Sequence, residues 1–76
     1  MDYSHYIESN PDVMLGKLVI KGTRIPVELV LEKLAAGQSE DELLLDYPRL
    51  TREAIHAALS LAAEAVREMK FYKLAS

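Results

Sequence analysis

Two turn signatures, one helix apart, constrain this chain more than any other feature: Gly22-Thr23-Arg24-Ile25-Pro26-Val27 and Asp46-Tyr47-Pro48-Arg49-Leu50-Thr51. The first sends an extended run into a helix. Leu18-Val19-Ile20 lies between Gly16 and Gly22, and a β-branched run bounded by turn formers reads as a strand. Pro26 suits the first turn of a helix, where its missing N–H costs nothing. The second signature ends one helix and starts the next. The residue before Pro48 is steered away from helical torsions, and Thr51 offers a hydroxyl as N-cap.

Between the two signatures, Val27, Val30, Leu31, Leu34 and Ala35 recur at the spacing of one buried helical face, with Glu28, Glu32 and Lys33 on the other side. Gly37 stops this first helix, because a left-handed residue after the C-cap favours glycine. Ser39 and Glu42 then form a capping box, and three acids in the first turn suit the positive end of the helix dipole. Leu43, Leu44 and Leu45 follow in a row. At about 100° per residue they cannot share one core, so one of them faces another surface.

A third helix is expected from Arg52 to about Met69. Ile55, Ala58, Leu59, Ala62, Val66 and Met69 make a core stripe, and Ala54, Ala57, Leu61 and Ala65 add a second. An apolar arc this wide exceeds what packing within one chain needs, so the distal half reads as a contact surface. Upstream, Tyr3 to Glu8 reads as extended, with Tyr6 and Ile7 inward. Asn10-Pro11-Asp12 is a turn, and Arg24-Ile25 is the second arm of a hairpin. The expected fold is mainly α with a small N-terminal β-hairpin. Residues 1–76 form a single domain: 1–25 short strands and hairpin, 26–69 three helices, 70–76 a tail.

Bulk properties narrow the function. A chain of 76 residues buries only about 60–65% of its unfolded surface, so its core is marginal. Small domains lean on disulfides, metals or a partner subunit. With no cysteine, disulfides and thiolate metal sites are excluded and a reducing cytoplasm is expected. A homodimer is the remaining way to bury more surface. No apolar run approaches the roughly 18 residues of a membrane span, and Met1 to His5 lacks a secretory pattern. The formal charge of −3 means that any contact with nucleic acid must come from a local cationic patch.

Two such patches stand out. In a helix-turn-helix the start of the second helix faces the major groove, which puts Arg49, Thr51, Arg52 and His56 near DNA. Arginine forks to guanine or phosphate, and threonine reaches phosphate. Two arginines beside a helix start are also compatible with plain solvation, and Glu53 in the same turn opposes close phosphate approach. The second patch is Lys17, Lys21 and Arg24 on the hairpin. Paired with a symmetry mate it makes a basic ribbon for the major groove; alone, it blunts exposed strand edges. Arg24 also stands where a salt bridge to Glu28 or to the second helix is natural. His5 and His56 are far apart in sequence, and no nucleophile triad or phosphate-binding loop is present. No catalytic residue, metal, cofactor or small-molecule substrate is therefore assigned.

The run Val19-Ile20-Lys21-Gly22-Thr23-Arg24-Ile25-Pro26-Val27, then Leu34-Ala35-Ala36-Gly37-Gln38-Ser39 with Glu42, then Asp46-Tyr47-Pro48-Arg49-Leu50-Thr51 and Ile55-x-x-Ala58-Leu59, resembles a prokaryotic domain-of-unknown-function family, number four-three-three. The likeness covers roughly residues 5 to 66. Such proteins look like small VapB-type antitoxins encoded beside a PIN-like ribonuclease toxin. The resemblance implies a homeodomain-like helix-turn-helix, a dimer, a toxin partner and repression of the shared operon through operator DNA. One departure is local: the family usually carries a glycine pair before its strand, and here Leu15 precedes Gly16. Antitoxins of this kind commonly block their toxin with a C-terminal extension. Leu61, Ala65 and Met69, continued by Phe71, Tyr72 and Leu74, are thus the partner-binding candidates, with the aromatic residues as anchors. A stand-alone transcriptional regulator and a dimeric interaction module that touches no nucleic acid are the alternatives.

Overall fold

The structure, a computed structural model, describes residues 3–12 and 14–69. A two-stranded antiparallel sheet, β1 (Ile7–Ser9) and β2 (Leu18–Ile20), precedes three helices, α1 (Val27–Ala35), α2 (Glu40–Asp46) and α3 (Arg52–Glu68). Short 3₁₀ turns at Tyr3–His5 and Met14–Gly16 lead into the two strands. The fold is mainly helical with a small N-terminal hairpin, as expected.

The hairpin is paired differently from the expectation. β2 takes β1 as its full partner, with Ile7 opposite Ile20 and Ser9 opposite Leu18. Arg24-Ile25 returns only through the Ile20 N–H, which donates to the Ile25 carbonyl at 2.9 Å, and one bridge between Val19 and Pro26. Two features stop this arm. Thr23 Oγ1 donates to the Ile20 carbonyl at 2.7 Å and accepts from the Ile25 N–H at 3.0 Å, so the turn satisfies itself. Pro26 has no N–H with which to extend a ladder. The residues Tyr3–His5, expected to be extended, form a helical turn before β1 begins.

The helix boundaries follow from their caps. Pro26 is the N-cap of α1 rather than its first residue. Gly37, at φ +98°, ends it: the Gly37 N–H donates to Leu34 O at 3.0 Å and the Gln38 N–H to Lys33 O at 3.1 Å. These are the two bonds of a Schellman motif, which needs a left-handed residue at this point. The capping box of α2 is complete, with Glu42 N–H donating to Ser39 Oγ at 3.1 Å and Ser39 N–H to Glu42 Oε1 at 2.9 Å. Thr51 Oγ1 accepts from the Ala54 N–H at 3.1 Å and starts α3.

The core gathers Ile7 and Ile20 from the sheet, Val27 and Val30 from α1, Leu43 from α2, and Ile55, Ala57 and Ala58 from α3, with Leu50 below the turn. Of the leucine triplet, Leu43 is 0% exposed, Leu44 is half-buried and Leu45 is 82% exposed. Ala35, placed on the buried face of α1 by spacing, is exposed.

The core stripe of α3 stops short of its predicted length. Ala54, Ile55, Ala57 and Ala58 are buried, and Leu61 and Ala62 are half-buried. Ala65 is exposed, Val66 is 60% exposed and Met69 is 55% exposed. The reason is length. At 1.5 Å per residue the 17 residues of α3 span about 25 Å, while the nine of α1 and the seven of α2 span about 13 and 10 Å. The last two turns of α3 run past the elements that cover the first three. Tyr3 reaches this overhang from the N-terminal side, its hydroxyl donating to the Glu64 carboxylate.

Candidate functional site

Where α3 passes α1, an open groove of about 410 Å³ remains between them. Lys17, just before β2, and Leu18, its first residue, with Val27, Glu28 and Leu31 of α1, form one wall. Leu61, Ala62 and Ala65 of α3 form the other. The i, i+4 pair Val27 and Leu31 faces the i, i+4 pair Leu61 and Ala65, so the helical period that builds the core also builds this apolar channel. The small side chains Ala62 and Ala65 leave the room. At the rim, Lys17 Nζ donates to Glu28 Oε1 at 2.7 Å. That bond to Glu28, with its negative charge, holds the Lys17 ammonium above its ordinary pKa.

Of the partner-binding candidates, Leu61 and Ala65 line the groove and Met69 lies exposed just past the end of α3. Phe71, Tyr72 and Leu74 fall outside the described residues. Sequence reasoning missed the opposite wall. Leu18 and Leu31 were assigned to strand and core, and only the shortness of α1 beside α3 signals that they border an opening.

A second, smaller concavity of about 270 Å³ lies at the turn between α2 and α3. His5, Lys21, Arg49 and Thr51 surround it, over a floor made by Tyr6, Ile20 and Ala54. Two separate stretches of chain supply its cations, Lys21 after β2 and Arg49 in the turn before α3. Lys21 Nζ donates to the Ser4 carbonyl at 3.1 Å, which leaves two of its three ammonium donors available. Arg49 has no ion-pair partner among the described residues, and its guanidinium carries five donors. Thr51 Oγ1 accepts the capping bond and retains its own O–H.

The seven DNA-binding candidates are thereby sorted. Lys21, Arg49 and Thr51 meet, joined by His5, whose position in sequence gave no hint of this company. Lys17 stands at the groove with Glu28, which is the acid that Arg24 was expected to pair with; Arg24 is exposed and has no ion-pair partner among the described residues. Arg52 and His56 face the acidic start of α2. Arg52 Nη2 lies 2.6 Å from Asp41 Oδ1 and its Nη1 3.2 Å from Glu40 Oε1, while His56 Nε2 is 3.3 Å from that same oxygen. The hydrogen bond to Asp41 is the main reason the Arg52 guanidinium is held even more firmly protonated. Among the described residues, no three His, Cys, Asp or Glu side chains are grouped to hold a metal ion, and no helix is long and apolar enough to cross a membrane.

Residues 7–62, from the first residue of β1 to the groove-lining Ala62, match the family described as "Protein of unknown function (DUF433)". The chain belongs to this family. A DUF433 member from Anabaena variabilis, known from a crystal structure, has the same fold, with a TM-score of 0.76 at 32% identity. The alignment covers 86% of this chain and 64% of that one. The uncharacterized protein y4eO of Sinorhizobium fredii is 42% identical over 59 residues, which is 78% of this chain and 26% of that protein. This DUF433 chain therefore spans about a quarter of the length of y4eO and just under two thirds of the Anabaena chain.

Proposed function

We propose that this DUF433 chain is a non-catalytic, antitoxin-like regulator. It acts as a dimer, covers a partner PIN-like ribonuclease with the groove and the exposed end of α3, and binds operator DNA through its basic groups. The observation that carries this reading is the apolar continuity from Leu18, Leu31 and Leu61 through Ala62 and Ala65 to Val66 and Met69. A concave apolar surface running onto an exposed helix face is what an interaction site looks like. The alanines permit close approach of a partner helix, and Lys17 with Glu28 supplies a polar rim.

Co-expression with the product of the adjacent gene tests it. The two proteins should co-purify and the regulator should restore growth. Leu61→Glu, which puts a charge on the groove wall, should abolish both while the helical circular dichroism persists. A partner that neither co-purifies nor is neutralised overturns the assignment.

One observation favours a second reading, a stand-alone helix-turn-helix transcriptional regulator: Lys21, Arg49 and Thr51 meet at the turn between α2 and α3. On that reading Leu61→Glu is silent, and binding to upstream DNA that weakens steeply with salt is the whole function.

A further inference from the structure

The geometry points to the concavity between His5, Lys21, Arg49 and Thr51 as a seat for the phosphodiester backbone of duplex DNA, with the outward side of the α3 N-terminus standing away from the phosphates. This rests on the DNA-binding part of the reading above and not on the toxin partner.

Four features support it. Lys21 and Arg49 carry donors and no acceptor, as free ammonium N–H groups and a guanidinium fork, and Thr51 adds the O–H of its capping hydroxyl. That is the chemistry of phosphate recognition, in which the fork grips two oxygens and the ammonium acts as a point charge. The floor of Tyr6, Ile20 and Ala54 is largely apolar, which suits the sugar carbons on either side of a phosphate. At about 270 Å³ the opening has room for a phosphate together with neighbouring sugar carbons.

The fourth feature is the distribution of charge. The chain carries a net −3, and its acids concentrate where the usual recognition surface would lie: Glu40 and Asp41 occupy Arg52 and His56, and Glu53 is exposed beside them. A polyanion approaching this molecule is repelled there and attracted to the opposite side of the turn. Phosphate contacts fix position without reading sequence, so their effect is seen on any duplex.

Fluorescence anisotropy of a labelled random-sequence duplex, titrated with the whole chain from about 50 to 200 mM salt, tests this. The wild type should bind, and Lys21→Gln and Arg49→Gln should each reduce the slope of log K against log salt by about one. Arg52→Gln should leave the slope unchanged. Amide shifts at Thr51 and Ala54 on adding the duplex provide a second readout, independent of the variants. Absence of duplex binding at 50 mM salt overturns the inference. So does a slope that falls with Arg52→Gln and not with the other two. Neither result bears on co-purification with a nuclease.

Discussion

Arg52 Nη2 donates to Asp41 Oδ1 at 2.6 Å, joining the first turn of α3 to the first turn of α2. Both side chains are exposed, so water and salt screen the pair. Arg52→Gln should lower Tm only slightly at low ionic strength, and the difference from wild type should vanish in 1 M sodium chloride. Thermal unfolding followed by circular dichroism at the two salt concentrations measures it. A loss that persists in high salt contradicts a surface role.

Adjacent leucines should behave as opposites. Leu43 is wholly buried, and truncating it removes packing and leaves a cavity, so Leu43→Ala should cost about 2–5 kcal/mol. Leu45 projects to solvent, and Leu45→Ala should stay within about 0.5 kcal/mol of wild type. Urea denaturation of the two variants gives both numbers. In a domain this small the first substitution consumes much of the total stability.

Much of this was legible in the sequence because it depends on local chemistry. Gly37, the Ser39–Glu42 pair, Pro48 and Thr51 each act on the few peptide groups next to them, and the structure shows each where spacing put it. The leucine triplet was readable for the same reason. What was not legible depends on lengths and on meetings between distant segments. Residues 10–17 join β1 to β2 without a two-residue turn signal, so the pairing of Ile7 with Ile20 had no local marker. The periodicity of α3 continues unchanged past Leu61; only comparison with the short α1 and α2 shows where the core ends. His5 and Arg49 line one concavity because Lys21, just after β2, stands beside the turn, which no motif encodes.

Leu15, just before Gly16, holds a backbone conformation that favours glycine. It sits at φ +56°, ψ 35°, in the left-handed region, with its side chain 97% exposed. A side chain in that conformation costs about 1–2 kcal/mol, and nothing packs on Leu15 to offset it. Leu15→Gly relieves the strain but adds freedom to the unfolded chain, worth about 0.5–1 kcal/mol. The net expectation is a gain of about 0.5–1 kcal/mol, read from the urea midpoint at unchanged m. Destabilisation by this substitution contradicts the left-handed assignment.

Tyr3 gives the chain a pH dependence on the alkaline side. Its hydroxyl donates to the Glu64 carboxylate, and this bond, with lesser help from desolvation and the charge of Glu64, raises the phenol above its ordinary pKa. A raised folded value means that the contribution is complete below the ordinary phenol pKa, near 10, and is lost as pH rises through the folded one. Once ionised, Tyr3 has no proton to donate and repels Glu64. Stability should therefore fall more steeply from about pH 9 to 12 in the wild type than in Tyr3→Phe. Tm against pH for the two proteins checks this; parallel curves contradict it.

The central claim is that the exposed end of α3 and its groove are a surface meant to be covered. Hydrogen–deuterium exchange of the backbone amides of residues 61–68, compared between the free chain and its mixture with the proposed partner, the purified product of the adjacent gene, tests it most directly. The account predicts strong added protection in these residues, absent in Leu61→Glu, with the amides of residues 40–46 unchanged. Identical exchange in the presence and absence of the proposed partner, or protection confined to α2, contradicts it.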